Sequence, residues 1–187
     1  MATNSTLYLF DKVIEELRQT LANRLSWLDV SYGRAERLIK SVDGRRYYTP
    51  NVYRGGDQYE CLLPDDRKGC YSFVVLSEPQ EVINQMQMEV RVKSPFSLIV
   101  WVDMRRVEKK MILADQRNTE YIKEQVLGVI ETAFLKKGAV KVTRIYQRAE
   151  NVFQGFTLDE VDNQFLMSPF AGFRFEGEMI VTNDCNQ

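Results

Sequence analysis

The most regular alternation of apolar and polar side chains lies near the end of the chain. Between Phe173 and Val181 the odd positions are apolar or glycine, and three of the four even positions are charged. A period of two is typical of a strand with one buried face and one exposed face. We therefore expect a final strand that completes a sheet and buries Phe173, Phe175, Met179 and Val181.

The segment before this strand is predicted to change direction sharply. Pro169 disfavours a helical conformation in the residue that precedes it, so no helix is expected to run into the strand. Residues 170–172 are expected to let the chain turn closely against its neighbour. Further upstream, Thr157 and Glu160 have the spacing of a capping box, which predicts a short helix within residues 156–169.

Two more alternating runs lie in the middle of the chain, at residues 85–93 and 96–105. Their short separation favours an antiparallel hairpin. A single long, bent strand is the alternative, because Pro95 lies between the runs and lacks the amide donor of a ladder. Compact β-prone runs at residues 71–76 and 139–148 predict two further strands.

Apolar residues at spacings of three, four or seven predict helices at about residues 6–28 and 117–136. Thr6 or Ser5 is the expected N-cap of the first helix. The second helix is expected to end at residues 136–138, where two lysines face the negative helix end and a glycine stops it. Its apolar face comprises Ile122, Val126, Val129, Ile130, Ala133 and Phe134.

Residues 30–70 show no sustained period and contain five glycines and two prolines. The runs "RRYYTPNVY" and "YECLL" are predicted to be short strands separated by a turn at Gly55 and Gly56. The run "LLPDDRKG" predicts a loop. We interpret this region as an irregular, loop-rich insertion in the fold.

The order of these elements indicates a single α+β domain over residues 1–187. It contains an antiparallel or mixed sheet, an N-terminal helix, and a second helix packed on one face. A length of 187 residues is suited to one domain with a core of ordinary size.

The candidate chemistry is sparse. The chain has no histidine, which removes the commonest general base and the commonest transition-metal ligand. Five acidic residues are candidates for a Mg²⁺ or Ca²⁺ site: Asp65, Asp66, Asp159, Glu160 and Asp162. They lack the EF-hand spacing, and neighbouring acids in loops usually face solvent. We therefore predict no catalytic, cofactor-binding or metal-binding residue and no enzymatic activity, with catalysis by carboxylates alone as the alternative.

Cysteine usage, Asp103 and hydropathy each add an expectation. Three cysteines do not make a disulfide framework, so reduced thiols are expected, with a Cys61–Cys70 pair as the alternative. Asp103 interrupts an apolar run and is predicted to be a polar residue at the end of a strand. No apolar run approaches the roughly 20 residues that span a bilayer. The first residues lack the positive segment of a signal peptide, so no membrane association is expected.

Two basic clusters are the candidates for an interface. The candidate interface residues are Arg45, Arg46, Tyr47, Tyr48, Tyr53, Arg105, Arg106, Lys109 and Lys110. Arginine and aromatic residues are enriched at protein interfaces, and the same pairing suits phosphates and bases. Glu36, Asp43 and Glu108 dilute both clusters. This dilution favours a solvated face or a subunit contact over nucleic-acid binding.

Three features of the chain belong together: the closing run "QFLMSPFAGFRFEGEMIV", the run "YYTPNVYRGGDQYECLLPDD" before "YSFVVL", and the order of elements over most of the chain. Together they resemble a known group of proteins. These are the tail terminator and related neck or tail-completion proteins of tailed bacteriophages, which are small α+β proteins with a final strand that pairs at the sheet.

The resemblance implies a structural role without a reaction. Such proteins form a homo-oligomeric ring on the last disc of the tail tube, stop its polymerisation and join it to the head connector. The implied partners are further copies of the chain, the neighbouring tail-tube and connector proteins, and DNA only as it passes through the ring. The implied location is the virion, after synthesis in the host cytoplasm. The alternative is a binding module of another intracellular complex that contacts nucleic acid through residues 34–46.

Overall fold

The computed structural model describes residues 9–65, 67–86, 89–111 and 119–184. The helices in these ranges are α1 (Leu9–Arg24), α2 (Met104–Met111), α3 (Thr119–Glu131), α4 (Ala149–Val152) and a 3-10 helix at Asn163–Leu166. The strands are β1 (Val30–Arg34), β2 (Glu36–Val42), β3 (Arg45–Gly55), β4 (Gln58–Cys61), β5 (Tyr71–Leu76), β6 (Glu81–Met86), β7 (Glu89–Asp103), β8 (Gly138–Tyr146) and β9 (Phe170–Asp184).

Six of the strands form one mixed sheet. β1, β5, β7, β9 and β8 lie side by side in that order, and β6 pairs with the first half of β7. β1 is parallel to β5, whereas the other neighbours are antiparallel. α1 and α3 pack against one face of this sheet and bury the larger hydrophobic core between them. The predicted α+β fold, with a mixed sheet and two helices on one face, is confirmed.

The opposite face of the sheet carries a second, smaller core. Trp101 of β7 lies at its centre, with ring-centre distances of 5.6 Å to Phe153 and 6.4 Å to Phe170. The segment between β8 and β9, which contains α4 and the 3-10 helix, covers this face. Gly172 lies directly over Trp101, where a Cβ atom would approach the indole to 2.7 Å. The expected close approach of residues 170–172 is therefore present.

β9 is the strand that the terminal alternation predicts. Phe173, Phe175, Met179 and Val181 are all at most 1% exposed, as expected. The strand does not lie at the edge of the sheet, since it pairs with β7 on one side and β8 on the other. Its neighbour β8 approaches so closely that a Cβ atom at Gly177 would lie 1.8 Å from a carbonyl oxygen. Glycine is therefore required by this contact.

β7 is one 15-residue strand, so the hairpin predicted between residues 85–93 and 96–105 is wrong. The alternative of a single long strand holds for Glu89–Asp103, whereas residues 85 and 86 belong to β6. The carbonyl of Pro95 accepts a hydrogen bond from the amide of Ser77, which lies in the gap between β5 and β6. The nitrogen and carbonyl of one strand residue point to the same side. The side of Pro95 that lacks an amide donor therefore faces this gap and not β9. The pairing of β7 with β9 continues without interruption.

Both long helices end earlier than predicted, and α1 ends at Arg24 instead of at about residue 28. The residues before Leu9, including the expected N-caps, lie outside the described residues. α3 ends at Glu131, so the lysines expected in its last turn lie beyond it. Phe134, predicted to lie on the buried face, is 83% exposed. This prediction is wrong because helical periodicity no longer determines the direction of a side chain three residues past the helix end.

Two local predictions fail at strand and helix ends. The strand expected to reach residue 105 ends at Asp103, and α2 begins directly after it. The predicted capping box is absent: Thr157 hydrogen-bonds to the backbone of Tyr48, and the helical turn that follows is a 3-10 helix capped by Asp162. A tertiary contact thus competes successfully for the Thr157 side chain.

The loop-rich description of residues 30–70 is wrong for residues 30–61, which consist almost entirely of strand. β2, β3 and β4 form a separate antiparallel sheet in that order. The two predicted runs correspond to β3 and β4, whereas β1 and β2 were missed. Six of the seven residues of β2 are exposed, so this strand lacks the buried alternate positions by which a strand is recognised.

Candidate interaction surface

β2 and the first part of β3 form a two-stranded arm, which we define as residues 36–48. Asp43 and Gly44 connect the strands with φ values of 50° and 76°, and Val42 is paired with Arg45 across the turn. Two consecutive positive φ angles are typical of a type I′ turn, whose twist matches that of the flanking strands. Aspartate and glycine adopt this conformation at low cost, so the local sequence determines the hairpin.

The arm buries little of its own surface. Ile39 is 62% exposed and Val42 is 37% exposed. Tyr48 is the cross-strand neighbour of Ile39. The guanidinium of Arg37 lies 3.9 Å from the centre of the Tyr48 ring. This cation–π contact covers the tyrosine but leaves the isoleucine in solvent.

The arm is fixed to the body at its base. The amide of Tyr48 donates to Thr157 Oγ1 at 3.0 Å, and the amide of Thr157 donates to the carbonyl of Tyr48 at 2.8 Å. β4 pairs with β3 only from Asn51 onwards, so Thr157 occupies the edge that β4 leaves open. Lys40 Nζ lies 3.7 Å from the carboxylate of Glu160. The segment of the arm beyond these contacts, which contains the turn, projects from the body.

The candidate residues of the first cluster are divided between two places. Arg45 and Arg46 are exposed at the end of the arm, and Tyr47 and Tyr48 are half-buried beside them. Tyr53 lies at the opposite end of β3, with its ring centre 5.3 Å from that of a tyrosine of β4. Eight strand positions separate Arg45 from Tyr53, which corresponds to about 26 Å. Tyr53 therefore does not share a surface with the end of the arm.

The arginines of the second cluster are ion-paired on α2. Arg105 donates through Nε and Nη2 to the two carboxylate oxygens of Asp103, each at 2.9 Å. Arg106 Nη1 lies 3.6 Å from the carboxylate of Asp29. The two lysines of this cluster belong to the same helix, but their side chains lie outside the described residues. The arginines thus hold α2 against the end of β7 and the segment before β1.

A cavity of about 630 Å³, lined in part by Tyr32 and Glu60, opens beside Arg106. Within it, Tyr32 donates to Glu60 at 2.8 Å, and Arg54 Nε donates to the other carboxylate oxygen at 2.6 Å. Burial and the hydrogen bond to Glu60 raise the pKa of Tyr32 to about 12. A phenol with this pKa stays protonated at neutral pH and acts as a donor. The network therefore stabilises the junction between β1 and β4.

The cysteines and Asp103 agree with expectation. Cys61 is exposed and Cys70 is buried, and no disulfide joins them. The thiol of Cys70 lies 3.7 Å from the carbonyl of Asp103. The Asp103 side chain ends β7 and accepts the hydrogen bonds of Arg105, as expected for a polar residue at a strand end. Cys185 lies outside the described residues.

Three of the candidate acidic residues have structural partners, with Glu160 paired to Lys40, and Asp159 is exposed. Asp65 forms an ion pair with Lys68. Burial of Asp65 would raise the pKa of its carboxyl, but hydrogen bonds from the side chain and amide of Lys68 outweigh burial and lower it. Asp162 accepts the amide of Gln164 and caps the 3-10 helix. Asp66 lies outside the described residues. Across the described ranges, no three Asp, Glu, Cys or His side chains are grouped as ligands for a metal ion.

Sequence reasoning missed the exposed apolar side chains of the arm and of the segment that follows α3. Ile39 and Val42 lie in a strand that was not predicted, and Phe134 was assigned to the core. The signal for the arm was present in the sequence, because an Asp-Gly pair between two β-prone runs is among the strongest short-range hairpin signals. Asp43 and Gly44 form that pair.

Comparisons with known proteins assign no family: no protein-family model matches the chain, and a search of curated proteins returned no match. Among the described residues, no helix is both long and apolar enough to cross a membrane.

Proposed function

We propose that this protein is a non-enzymatic virion structural protein that forms a ring at the head–tail junction or the tail end of a tailed bacteriophage. The ring caps the polymerising tail tube and joins it to the connector. Its partners are further copies of the chain and the adjoining tube and connector proteins. The order of elements and the closing strand support the resemblance, and the projecting arm supports the assembly role.

The single observation that carries the proposal is the exposure of the arm. Ordering a backbone residue costs about 1–2 kcal/mol, and an isolated two-stranded hairpin is marginally stable in water. The arm leaves Ile39 and Val42 open to solvent, so its own contacts recover little of that cost. Exposed apolar side chains beside arginines are typical of protein interfaces. A partner that covers the arm supplies the missing burial.

The body of the molecule complements this role by keeping a defined shape. Its described charged groups include the pairs of Arg105 with Asp103 and of Arg54 with Glu60, which link neighbouring elements. Assembly then requires only repeated contacts between preformed surfaces. Heterologous contacts of this kind close into a ring when the rotation between subunits closes.

The proposal is tested by light scattering after size exclusion and by negative-stain electron microscopy, with the protein alone and with the tail-tube protein of the same phage. We expect closed rings. In the test variant, Asn-Gly replaces residues 41–46 and rejoins the hydrogen-bonded cross-strand partners Lys40 and Tyr47 through a two-residue turn. This variant is expected to fold and to lose the rings.

A matched control substitutes serine for Val82 and Ile83, which are exposed apolar residues on β6 far along the chain from the arm. This control is expected to assemble like the wild type. The proposal fails if the wild type stays monomeric in both preparations. It also fails if the protein turns over a small molecule and loses that activity when one acidic side chain is replaced.

A nucleic-acid-binding module is the second candidate, and one contact favours it. Arg37 stacks on Tyr48 beside the exposed Arg45 and Arg46, an arrangement that also suits phosphates and bases. Retention of an oligonucleotide that weakens steeply with salt would favour this candidate, because phosphate contacts release counterions. We expect no such retention.

A further inference from the structure

The exposed side of α3 carries a pair of carboxylates that the described structure leaves unused. Glu124 and Glu131 are both exposed and lie seven positions apart, which places them on one side of a helix with about 3.6 residues per turn. Within the described ranges, no ion pair or hydrogen bond engages either carboxylate. Glu120 on the same helix differs, because it is paired with Lys123 at 2.6 Å.

The end of α3 is electrostatically unfavourable by itself. Glu131 lies in the last turn, where the helix dipole disfavours negative charge, and this turn contains no basic residue. Arg24 is the described cation nearby, and its Nη1 donates to Thr132 Oγ1 at 2.7 Å. A further cation placed here is attracted both by the carboxylate and by the carbonyls at the helix end. Phe134, 83% exposed, lies just beyond this turn.

The arm has the complementary chemistry. Arg45 and Arg46 are exposed, and no carboxylate among the described residues pairs with them. Their side chains leave opposite faces of the two-stranded ribbon, so they are able to meet carboxylates two helical turns apart. Ile39 shares a face of the ribbon with Arg46 and presents an aliphatic surface that is 62% exposed.

The two surfaces lie on opposite sides of the molecule. The arm follows β1, which is one edge of the main sheet, and β3 contacts β1. α3 packs beside β8, which is the opposite edge. In a two-fold dimer, the arm and the α3 surface of one copy would both have to contact the same neighbour. Surfaces on opposite sides of the molecule cannot do this. The arrangement instead suits a chain of copies in which each arm reaches the next α3.

We infer that the arm of one copy docks across the C-terminal half of α3 of the next copy. Arg45 and Arg46 meet Glu124 and Glu131, and Ile39 packs against Phe134. This inference rests on the proposed function, and it specifies which surfaces make the contact between ring subunits.

A nearby groove is a poorer site for the arm. It is lined by Ile83 and Ile180 and has a volume of about 470 Å³, but Arg91, Lys136 and Lys137 also line it. Like charges placed opposite one another cost several kcal/mol at an interface. The basic arm is therefore directed towards the acidic helix.

Charge inversion of each surface tests the inference in the full-length protein. One variant carries Arg45→Glu and Arg46→Glu, and the other carries Glu124→Arg and Glu131→Arg. Each is expected to self-associate at least about 100-fold more weakly than the wild type, as measured by sedimentation equilibrium, because like charges then face each other.

Mixing the two variants is the decisive step. The acidic arm of the first variant matches the basic helix of the second, and the basic arm of the second matches the acidic helix of the first. We expect the mixture to re-form oligomers of alternating copies. An arm-to-arm interface would leave the helix variant able to assemble by itself, and a helix-to-helix interface would leave the arm variant able to assemble by itself, so either result overturns the arm–helix contact.

A control with the same change of charge as the arm variant carries Lys12→Glu and Arg67→Glu, two exposed cations outside both surfaces. It is expected to assemble normally. If the wild type assembles and both interface variants assemble equally well, the ring proposal stands and the arm–helix contact is wrong. If the wild type does not assemble at all, both are wrong. Loss of assembly in each variant without recovery on mixing also overturns the contact.

Discussion

β9 and the arm are both built from antiparallel ladders, yet they are stabilised in different ways. β9 pairs on both sides and buries Phe173 and Phe175 completely. The strands of the arm pair with each other, have few contacts with the body beyond those at Tyr48 and Lys40, and leave Ile39 largely in solvent. Backbone hydrogen bonds contribute little net free energy because they replace bonds to water, whereas apolar burial contributes about 25 cal/mol per Å². The ladder gives the arm its shape, and the missing burial has to come from elsewhere.

The base of the arm shows where its present stability comes from. Thr157 fixes Tyr48 through two hydrogen bonds, and the contact of Tyr32 with Glu60 joins β1 to β4. Both contacts lie on the body side of the turn. The arm is therefore held at one end and is open at the other, which is the geometry of an element that extends to a partner.

The largest effect is expected from removing β9, an interior strand of the main sheet. Deletion of residues 170–187 takes β9 from between two strands and exposes the core of the sheet. We expect aggregated or unfolded protein, measured as loss of a cooperative unfolding transition by circular dichroism. A soluble, folded truncation would show that β9 is not essential to the core.

Single substitutions in the two regions are expected to differ strongly. Phe175→Ala removes a ring that is 0% exposed and should lower the free energy of unfolding by about 3–5 kcal/mol. Ile39→Ala removes an exposed side chain and should change it by no more than about 0.5 kcal/mol. Urea unfolding of the monomer measures both values. Equal losses would mean that the arm is as well packed as the core.

Glycines in the arm and in α3 are expected to respond with opposite signs. Gly44→Ala places a side chain at φ +76°, which is strained for an L-residue by about 1–2 kcal/mol. Gly128→Ala in α3 meets no atom within 4 Å and should stabilise the helix by about 0.5–1 kcal/mol. Amide hydrogen exchange measures the two regions separately. Relative to the wild type, we expect faster exchange in the arm of the Gly44 variant and slower exchange in α3 of the Gly128 variant. The same sign for both would contradict the assigned turn.

The smallest effect concerns the junction at the base of the arm. Burial of Glu60 tends to raise the pKa of its carboxyl, but hydrogen bonds from Tyr32 and Arg54 outweigh burial and hold it below the ordinary value of 4.5. The pKa of Glu60 is therefore lower in the folded protein than in the unfolded chain. The stabilisation that its charge provides is complete above the pKa of the unfolded chain and is lost as pH falls through the pKa of the folded protein. Glu60→Gln should therefore reduce the loss of stability on acidification below about pH 4.5.

Unfolding free energies measured from neutral to acidic pH test this expectation. Glu36→Gln is the matched control, because this exposed carboxylate lies on β2 and has no ion pair among the described residues. The control should keep the pH dependence of the wild type. An identical acid response in the Glu60 and Glu36 variants would show that the junction does not depend on the charge of Glu60.

The parts of the fold that were predictable are those with one clearly buried face. The alternation at Phe173–Val181 and the helical spacing around Ile122 and Val126 identified β9 and α3, because burial selects apolar residues at the period of the element. β2 was missed because neither of its faces is buried. The continuity of β7 was ambiguous because the effect of Pro95 depends on which neighbour its missing donor faces.

The candidate surface was predictable only in part. Arg45 and Arg46 were identified and are exposed together, but Arg105 and Arg106 proved to be ion-paired with Asp103 and Asp29. Composition and spacing reveal that a charge exists but not which group it meets: Asp103 is close to Arg105 along the chain, whereas Asp29 is far from Arg106.

The sequence by itself determined the α+β class, the closing strand and the type I′ turn of the arm, because period, apolar patterning and turn chemistry act over a few residues. Only the tertiary structure decided that β9 lies inside the sheet, that Phe134 faces solvent and that Thr157 holds Tyr48. These outcomes depend on contacts between segments that are distant along the chain. The free energies of such contacts compete with local conformational preferences, and neither segment alone determines them.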